Sequence, residues 1–549
     1  MGFVRLTNPL ARWRQRELLR DLSTQIGRVE EYLGRRPAST LDGSGPVIFF
    51  NASTRIHRLS LNAAFSLLAS WGLRAAGQEV KYLVCHEGMS PCVLGTDRRS
   101  PEASPPCRIC LDLSAVLFPP AAVIRLTQDP PGRNSIFREL QRLPLESLVA
   151  WEHDGLPLGE LTQPSVRWVL HRHRLADSAV VRSLYAGYLA SAVTVAQQVR
   201  ALLATWKPRA MVVFNGIFYP EAVARRVVEE AGLPVITHEV GLQAGSAFFS
   251  HREATFREVE LPDGFQWTAK QQDQLDQVLG RRFRGEFTMA GVKFWPEMRS
   301  LPASLVEKCR SFRQLVSVFT NVVFDTSQVH ANVLFDDMFE WLNALAGIIR
   351  RERETLFVIR AHPDESRRGK ESQESVQAWV QETLLDRLAN VVFVGPDERL
   401  SSYELIRASK FVLVYNSSVG LEALILGTPA LSAGRARFTQ MPTTTFPTSR
   451  SDYLKTLEAF LTADRIEVTE TQSRNARTFL YYELFHASLD LSEFVVTDPE
   501  LEGMVRFSDF APARLAEADI FRVLREGILE GRPFVSTGRP VPPDDGSAI

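Results

Sequence analysis

The sequence lacks a charge excess of either sign. Its 63 Lys and Arg stand against 64 Asp and Glu, a formal net charge of −1. A dedicated nucleic-acid binder carries a basic surplus, so no nucleic-acid partner is expected. The chain reads as free of apolar runs of the ~18–20 residues that cross a bilayer. Its first residues, MGFVRLTNPLARWRQRELLRDL, lack the apolar core of a signal peptide. The expected location is therefore cytoplasmic. Phosphate-binding glycine signatures are also missing. Neither a GxGxxG nor a Walker-type loop is present, which disfavours dinucleotide and ATP chemistry. No Asp-x-Asp follows a predicted strand, so the metal-dependent way of holding a nucleotide sugar has no support. No cofactor is expected for catalysis.

Cysteine is scarce but clustered. Four of the five, Cys85, Cys92, Cys107 and Cys110, fall within 26 residues. The C-x2-C of PCRIC is half of a tetrahedral thiolate site, and Cys85 and Cys92 are candidates to complete a structural zinc. Reduced thiols in a reducing compartment are the competing reading. The N-terminal stretch is basic and mildly amphipathic, with Phe3, Leu6, Leu10, Trp13, Leu18 and Leu19. It is a candidate for peripheral membrane association, or a helix packed on the protein body.

What the sequence has in quantity is alternation. At 549 residues it exceeds one hydrophobic core. Short β-rich runs alternate with amphipathic helical stretches, the pattern of parallel sheets covered on both faces by helices. In the first half, strands are predicted over 46–53, 80–85, 210–216 and 234–241, with helices over 59–77, 184–204 and 220–232. The second half predicts strands over 315–321, 354–363, 390–395, 410–418 and 428–433. Its helices are read at 372–388, 401–409 and 419–427, and a further one carries the stripe Phe335, Met338, Phe339, Leu342, Leu345, Ala346, Ile349. The expected organisation is a helical extension (1–43), two doubly wound α/β domains (44–300 and 312–465), a helical region (466–529) and a flexible Pro/Gly-rich tail (530–549).

Ligands of open α/β sheets bind outside the carboxyl ends of the strands. In the second domain those ends carry Thr320 and Asn321, then Arg360, His362 and Pro363, then Asn416, Ser417 and Ser418, with Glu422 one helical turn on. Two hydroxyls between a strand end and a helix N-terminus suit a phosphate, although serines there also cap helices. Glu422 could accept from a sugar hydroxyl or stand in solvent. Arg360 and His362 could neutralise a departing nucleotide. The basic run SRRGK (366–370) could draw in an anion or be a solvated loop.

These segments resemble a known family. TNVVFDTS (320–327), FDDMFEWLNAL (335–345), IRAHPDE (359–365), YNSSVGLEALILGTPAL (415–431) and FPTSRSDYLKTL (446–457) follow the order seen in bacterial capsule polysaccharide biosynthesis proteins of the GT-B fold. The paired His-Pro and Ser-Ser elements are similar to those of bacterial sialyltransferases and capsule Kdo transferases. The resemblance implies two Rossmann-like domains facing across a cleft and a glycosyltransferase activity. It implies that His362, Pro363, Ser417 and Ser418 contact a CMP- or UDP-linked sugar donor, with Glu422 nearby. A saccharide or glycolipid acceptor would sit on the first domain. The sialyltransferase base motif has two acidic residues before its glycine, whereas this chain has His238-Glu239-Val240-Gly241. The candidate base is Glu239 or, second, His57, with a structural role for either as the competing reading. A nucleotide-sugar epimerase, a phospho-alditol transferase and a non-catalytic scaffold of the same fold remain alternatives.

Overall fold

Fourteen strands carry the architecture among the described residues of the computed structural model. Those residues are 9–36, 45–51, 58–128, 133–259, 261, 265–286, 298–367, 369–498 and 503–536. The first half supplies β1 (Val47–Phe50), β2 (Val80–His86), β3 (Val123–Thr127), β4 (Ala210–Phe214), β5 (Val235–Val240) and β6 (Ser246–Ser250). The second supplies β7 (Gln314–Phe319), β8 (Thr355–Arg360), β9 (Val391–Val394), β10 (Phe411–Val414) and β11 (Ala430–Ser432). The C-terminal chain adds β12 (Leu489–Asp490), β13 (Val495–Thr497) and β14 (Val505–Phe507).

Two open sheets result. One has the order β12-β6-β5-β4-β1-β2-β3, with β1 to β5 parallel and β6 and β12 running antiparallel at one edge. The other is wholly parallel, in the order β11-β10-β7-β8-β9. Each sheet is covered on both faces, which explains strands that read as unbroken apolar runs. Residues of β7, β8 and β10 split between two separate apolar clusters, one per face. This is the GT-B-like pair of Rossmann-like domains that the sequence predicted.

Several boundaries differ from expectation. Several strands are shorter than predicted, such as β8 (Thr355–Arg360 against 354–363) and β10 (Phe411–Val414 against 410–418), where the last residues leave the sheet for the rim, whereas β2 runs one residue further, to His86. The helix predicted over 372–388 stops at Glu382, and a short 3-10 turn, Leu385–Arg387, follows Leu384, whose φ of 55° breaks the helical path. The helix Ala179–Trp206 corrects the expectation about apolar runs. It is long and apolar enough to cross a bilayer by length and composition, yet most of its apolar window is buried against the first sheet.

The region 466–529 is not simply helical. After the helix Glu470–Tyr482 and a π turn at Glu483–Ala487, the chain enters β12, joins the first sheet, and forms the β13–β14 hairpin. The helix Asp519–Glu530 then packs on the helix Leu61–Ala75. A Cβ at Gly72 would lie 2.4 Å from Phe521 Cδ1, so glycine is what permits this approach. The first domain is thus completed by the end of the chain. Nor is the whole of 530–549 a loose tail: Phe534 is buried and the Ser536 amide donates to His486 O at 3.0 Å. Residues 537–549 lie outside the described residues, as do Phe3 and Leu6. The helix Pro9–Gly34 buries Leu22, Ile26, Val29 and Leu33 in the core of the first domain.

The second domain is built around the predicted stripe. Phe335, Met338, Phe339, Leu342, Leu345, Ala346 and Ile349 are all buried, and Trp341 beside them is fully enclosed. Its indole N–H donates to Tyr453 Oη at 2.7 Å, which satisfies the one polar atom taken into the core. Trp341→Ala should destabilise the protein by about 3–5 kcal/mol through the cavity it leaves, read as a lowered midpoint in urea denaturation.

Candidate functional site

The register of the second sheet places three polar side chains in equivalent positions. Val414, Phe319 and Arg360 are paired neighbours on β10, β7 and β8. Two residues beyond each stand Asn416, Asn321 and His362. Asn321 Nδ2 donates to Asn416 Oδ1 at 2.6 Å, and Gln328 Nε2 donates to the same oxygen at 3.1 Å. Asn416 Nδ2 in turn donates to Ser327 O at 3.2 Å. This amide chain fixes the loop 320–328 over the strand ends. Ser418 is exposed, and Asn321, His362, Pro363, Asn416 and Ser417 are part-exposed, so six of the nine expected donor residues reach the surface of the rim.

The other three do not, and their expected roles are corrected. Thr320 is buried, and its hydroxyl donates to Arg360 O at 3.1 Å, tying β7 to β8. Arg360 is 3% exposed and donates to Glu398 O at 3.4 Å. Burial lowers its pKa to about 10, partly offset by the charge of Glu398. Glu422 neither faces a ligand nor stands in solvent. It is buried against Arg282, whose Nε and Nη2 donate to Glu422 Oε1 at 3.1 and 2.6 Å. The expected anion cradle at 417–422 is also partly filled. The amides of Gly420, Leu421 and Glu422 already bond the carbonyls of Ser417 and Ser418.

His362 begins a short helical turn, Pro363–Glu365, and its Nδ1 accepts from the Asp364 amide at 3.1 Å. In the neutral ring this puts the proton on Nε2. Burial in the cleft lowers the His362 pKa, against the pull of Asp364 and Asp325. The basic loop after it is not simply solvated: Arg367 and Lys370 both pair with Asp364, at 3.4 and 3.6 Å.

Across the cleft, Glu239 ends β5 and receives three donors. Asn62 Nδ2 and the Val240 amide approach Oε1 at 2.9 and 2.8 Å, and Asn215 Nδ2 approaches Oε2 at 2.7 Å. Asn215 can do so because it adopts φ 55° directly after β4, followed by Gly216 at φ 83°. Burial raises the Glu239 pKa, and the carboxylate of Asp325 raises it further against the three hydrogen bonds. The charge of Asp325, on the loop after β7, acts to raise the pKa of both Glu239 and His362. The short helix Ala254–Phe256 of the first domain also contacts Thr326–Gln328 of the second. Gly241 closes the tight turn into β6, where any side chain would meet Ser246 Oγ at 2.2 Å. His238 is structural: it is buried between Phe214 and Phe249, and burial lowers its pKa to about 3. His57, the second candidate base, lies outside the described residues.

Sequence reasoning missed Asn62, Asn215, Asp325 and Gln328. Asn215-Gly216 was visible as a strand end, and Asp325 lies inside the matched segment TNVVFDTS, but neither has meaning without knowing which residues the strand pairing brings beside it.

Among the described residues no three His, Cys, Asp or Glu side chains gather closely enough to hold a metal ion. Burial raises the Cys85 pKa to about 11 and that of Cys92 still further, and the neighbouring thiols, Cys107 and Cys110 among them, add to both shifts, so the four clustered cysteines of the sequence also lie near one another in the fold. Cys92 Sγ accepts from the Gly95 amide at 3.2 Å.

Beneath the His-Pro turn lies Glu365, 5% exposed, whose Oε2 accepts from the Val376 amide at 3.1 Å. Burial raises its pKa from 4.5 to about 8. The fold therefore favours the protonated form. That contribution is full below the unfolded pKa and is lost as pH rises through about 8. In urea titrations the wild type should lose stability relative to Glu365→Gln by up to about 1.4 kcal/mol per pH unit across this window. Parallel curves for the two proteins would contradict the assignment.

Residues 299–451, the stretch carrying this rim, match the family model described as capsule polysaccharide biosynthesis protein. No curated protein matches the chain. Among solved structures it is similar to the KpsC beta Kdo 2,4 transferase of Thermosulfurimonas dismutans, with 12% identity, 56% of this chain and 87% of that one covered, and a TM-score of 0.34. The beta Kdo 2,7 transferase of the same KpsC shows 15% identity over 59% and 90% of the two chains, TM-score 0.30. A UDP-GlcNAc 2-epimerase of Neisseria meningitidis, bound to UDP-GlcNAc, shows 11% identity over 80% and 99%, TM-score 0.22. None superposes closely enough to carry an argument about function. The resemblance read from the sequence and the family match fall on the same stretch: residues 299–451, where the rim is built, are similar to capsule polysaccharide biosynthesis proteins.

Proposed function

We propose that the protein is a glycosyltransferase that moves a sugar from a nucleotide-sugar donor to a saccharide acceptor held in the cleft. The observation that carries this reading is that Glu239 and His362 stand at strand ends of two sheets whose rims are joined by the contact of Ala254–Phe256 with Thr326–Gln328. The family match over 299–451 supports the polysaccharide context. In this reading His362 Nε2–H donates to the leaving phosphate, and Ser417 and Ser418 add hydroxyl contacts. Glu239 accepts the proton of the acceptor hydroxyl. A carboxylate with a raised pKa is a stronger base than an exposed one, and its three donors hold it in one orientation. Much of the rate would come from aligning the acceptor oxygen with the anomeric carbon as the cleft closes. A cytoplasmic location, at the inner membrane face where such acceptors are extended, belongs to the same proposal.

A nucleotide site should first declare itself by ligand-linked stability. Of CMP, UMP, CDP and UDP, at least one should raise the melting temperature of the wild type at millimolar concentration. The same nucleotide should have a weaker effect on His362→Ala. Transfer by His362→Ala should fall by about 10²-fold or more, with the unfolding midpoint unchanged. Full activity in this variant would remove His362 from the donor site.

The base assignment has its own signature. Because the Glu239 pKa is raised, the ionised, competent form disappears as pH falls through a value above the ordinary 4.5. The acid limb of kcat/KM should lie above that value, and Glu239→Gln should lose both the limb and about 10²-fold or more of the rate. An unchanged acid limb in Glu239→Gln would assign the base elsewhere. Conversion of the donor without acceptor, giving an epimer in place of a transfer product, would favour the epimerase reading.

A further inference from the structure

A cavity of about 850 Å³ is not lined by the rim residues of the proposed donor site. It lies beside them, at the joint between the domains. The first domain contributes Arg225, Arg252 and Arg257, the second His330 and Arg435, and the C-terminal chain Phe534. Its volume is within the range of small-molecule sites.

The hydrogen bonds of this cavity do not balance. Its acids are engaged. Glu253 accepts from Arg225 and pairs with His330 from the other domain, Glu258 pairs with Arg252 at 2.8 Å, and Glu229 pairs with Arg225 at 3.4 Å. Its cations are not saturated. Arg257 is 3% exposed, and one of its nitrogens bonds Glu483, but its Nε and Nη1 are buried without a hydrogen-bond partner among the described residues. Arg225 Nε is in the same condition. Arg257 bonds one oxygen of Glu483 and Arg437 approaches the other at 3.2 Å, so this one carboxylate faces two positive charges. Burial and the nearby Arg437 charge lower the Arg257 pKa to about 10, with Glu483 pulling the other way. Buried donors left without acceptors are costly, and an incoming anion is what would relieve them.

The rest of the lining fits a sugar. Phe256 is part-exposed, and Arg435 lies over its ring at 4.6 Å, with Nε donating to His330 O at 3.1 Å. Phe249, Phe534 and Tyr482 add further ring surface. Aromatic faces take the apolar side of a pyranose, and the carboxylates of Glu229 and Glu258 have lone pairs left for hydroxyls.

We propose that this cavity binds an anionic sugar, carboxylated or phosphorylated, in contact with both domains. The site is separate from the donor rim, and its occupant bridges Arg252 and Arg257 on one domain with Arg435 on the other. Occupancy would therefore favour one relative arrangement of the domains.

Calorimetric titration of the full-length protein with glucuronate, glucose 6-phosphate and glucose tests this. At least one of the two anions should bind at least about tenfold more tightly than neutral glucose. Which one does so distinguishes a carboxylated from a phosphorylated ligand. Arg435→Gln and Arg252→Gln, both at accessible side chains, should each remove most of that preference. Their nucleotide-induced thermal shift should stay as in the wild type, which separates failure here from failure of the donor assignment. Equal binding of glucose and both anions, or an anion preference untouched by both substitutions, would overturn the proposal.

Discussion

The parallel pairing of β10, β7 and β8 is the constraint from which the candidate site follows. Parallel ladders align equivalent positions side by side. With Val414, Phe319 and Arg360 in register, the residues two steps on are carried to one edge whatever their chemistry. Asn416, Asn321 and His362 occupy that edge, and the Asn321–Asn416 amide pair closes it. The first sheet obeys the same rule. Phe214 pairs with His238, so Asn215 and Glu239 emerge together and can bond. Function resides in side chains whose neighbours are set by strands nowhere adjacent in sequence.

Buried charge distinguishes scaffold from site. Arg282 with Glu422, and Arg257 with Glu483 and Arg437, are ion pairs withdrawn from water. Desolvation makes such pairs costly to break and of little net benefit to make. What the Arg282–Glu422 pair does is geometric. It binds the helix Ala269–Phe283 to the helix that follows the Ser-Ser element, and so helps set where Ser417 and Ser418 stand. The carboxylate that resembled a ligand contact is a strut for one.

The alternation of apolar runs made both sheets legible, because a strand covered on two faces must be apolar throughout. The stripe from Phe335 to Ile349 was equally plain. The fate of the C-terminal chain was not. Leu489 and Asp490 make a two-residue strand whose only reason to exist is the open edge of β6, and no periodicity can reveal that. The same limit divides the site residues. His362 and Glu239 could be picked out as polar residues at strand ends. Whether Thr320, Arg360 or Glu422 faced the cleft or the core depended on the pleat and on Arg282, a residue some 140 positions away. Cysteine spacing is compatible with both ligation and ordinary packing, and burial together with the neighbouring thiols raises the pKa of Cys85 and Cys92.

The two groups at the cleft are displaced in opposite senses by one cause. Burial raises the carboxyl of Glu239 and lowers the imidazole of His362, so each moves toward its neutral form. Were the two simply an ion pair, attraction would push them the other way. Desolvation therefore outweighs attraction here, and Asp325 adds to the Glu239 shift while opposing that of His362. A closed cleft thus tunes both at once. It makes the carboxylate more avid for a proton and favours the neutral imidazole, whose Nδ1 accepts from the Asp364 amide. Opening the cleft to water would reverse both shifts together. The contacts between the two domains are both polar and apolar: Arg174 pairs with Asp337 at 2.8 Å, Gln373 N donates to His171 O at 2.9 Å, and the His171 ring stacks on Phe324 at 4.4 Å.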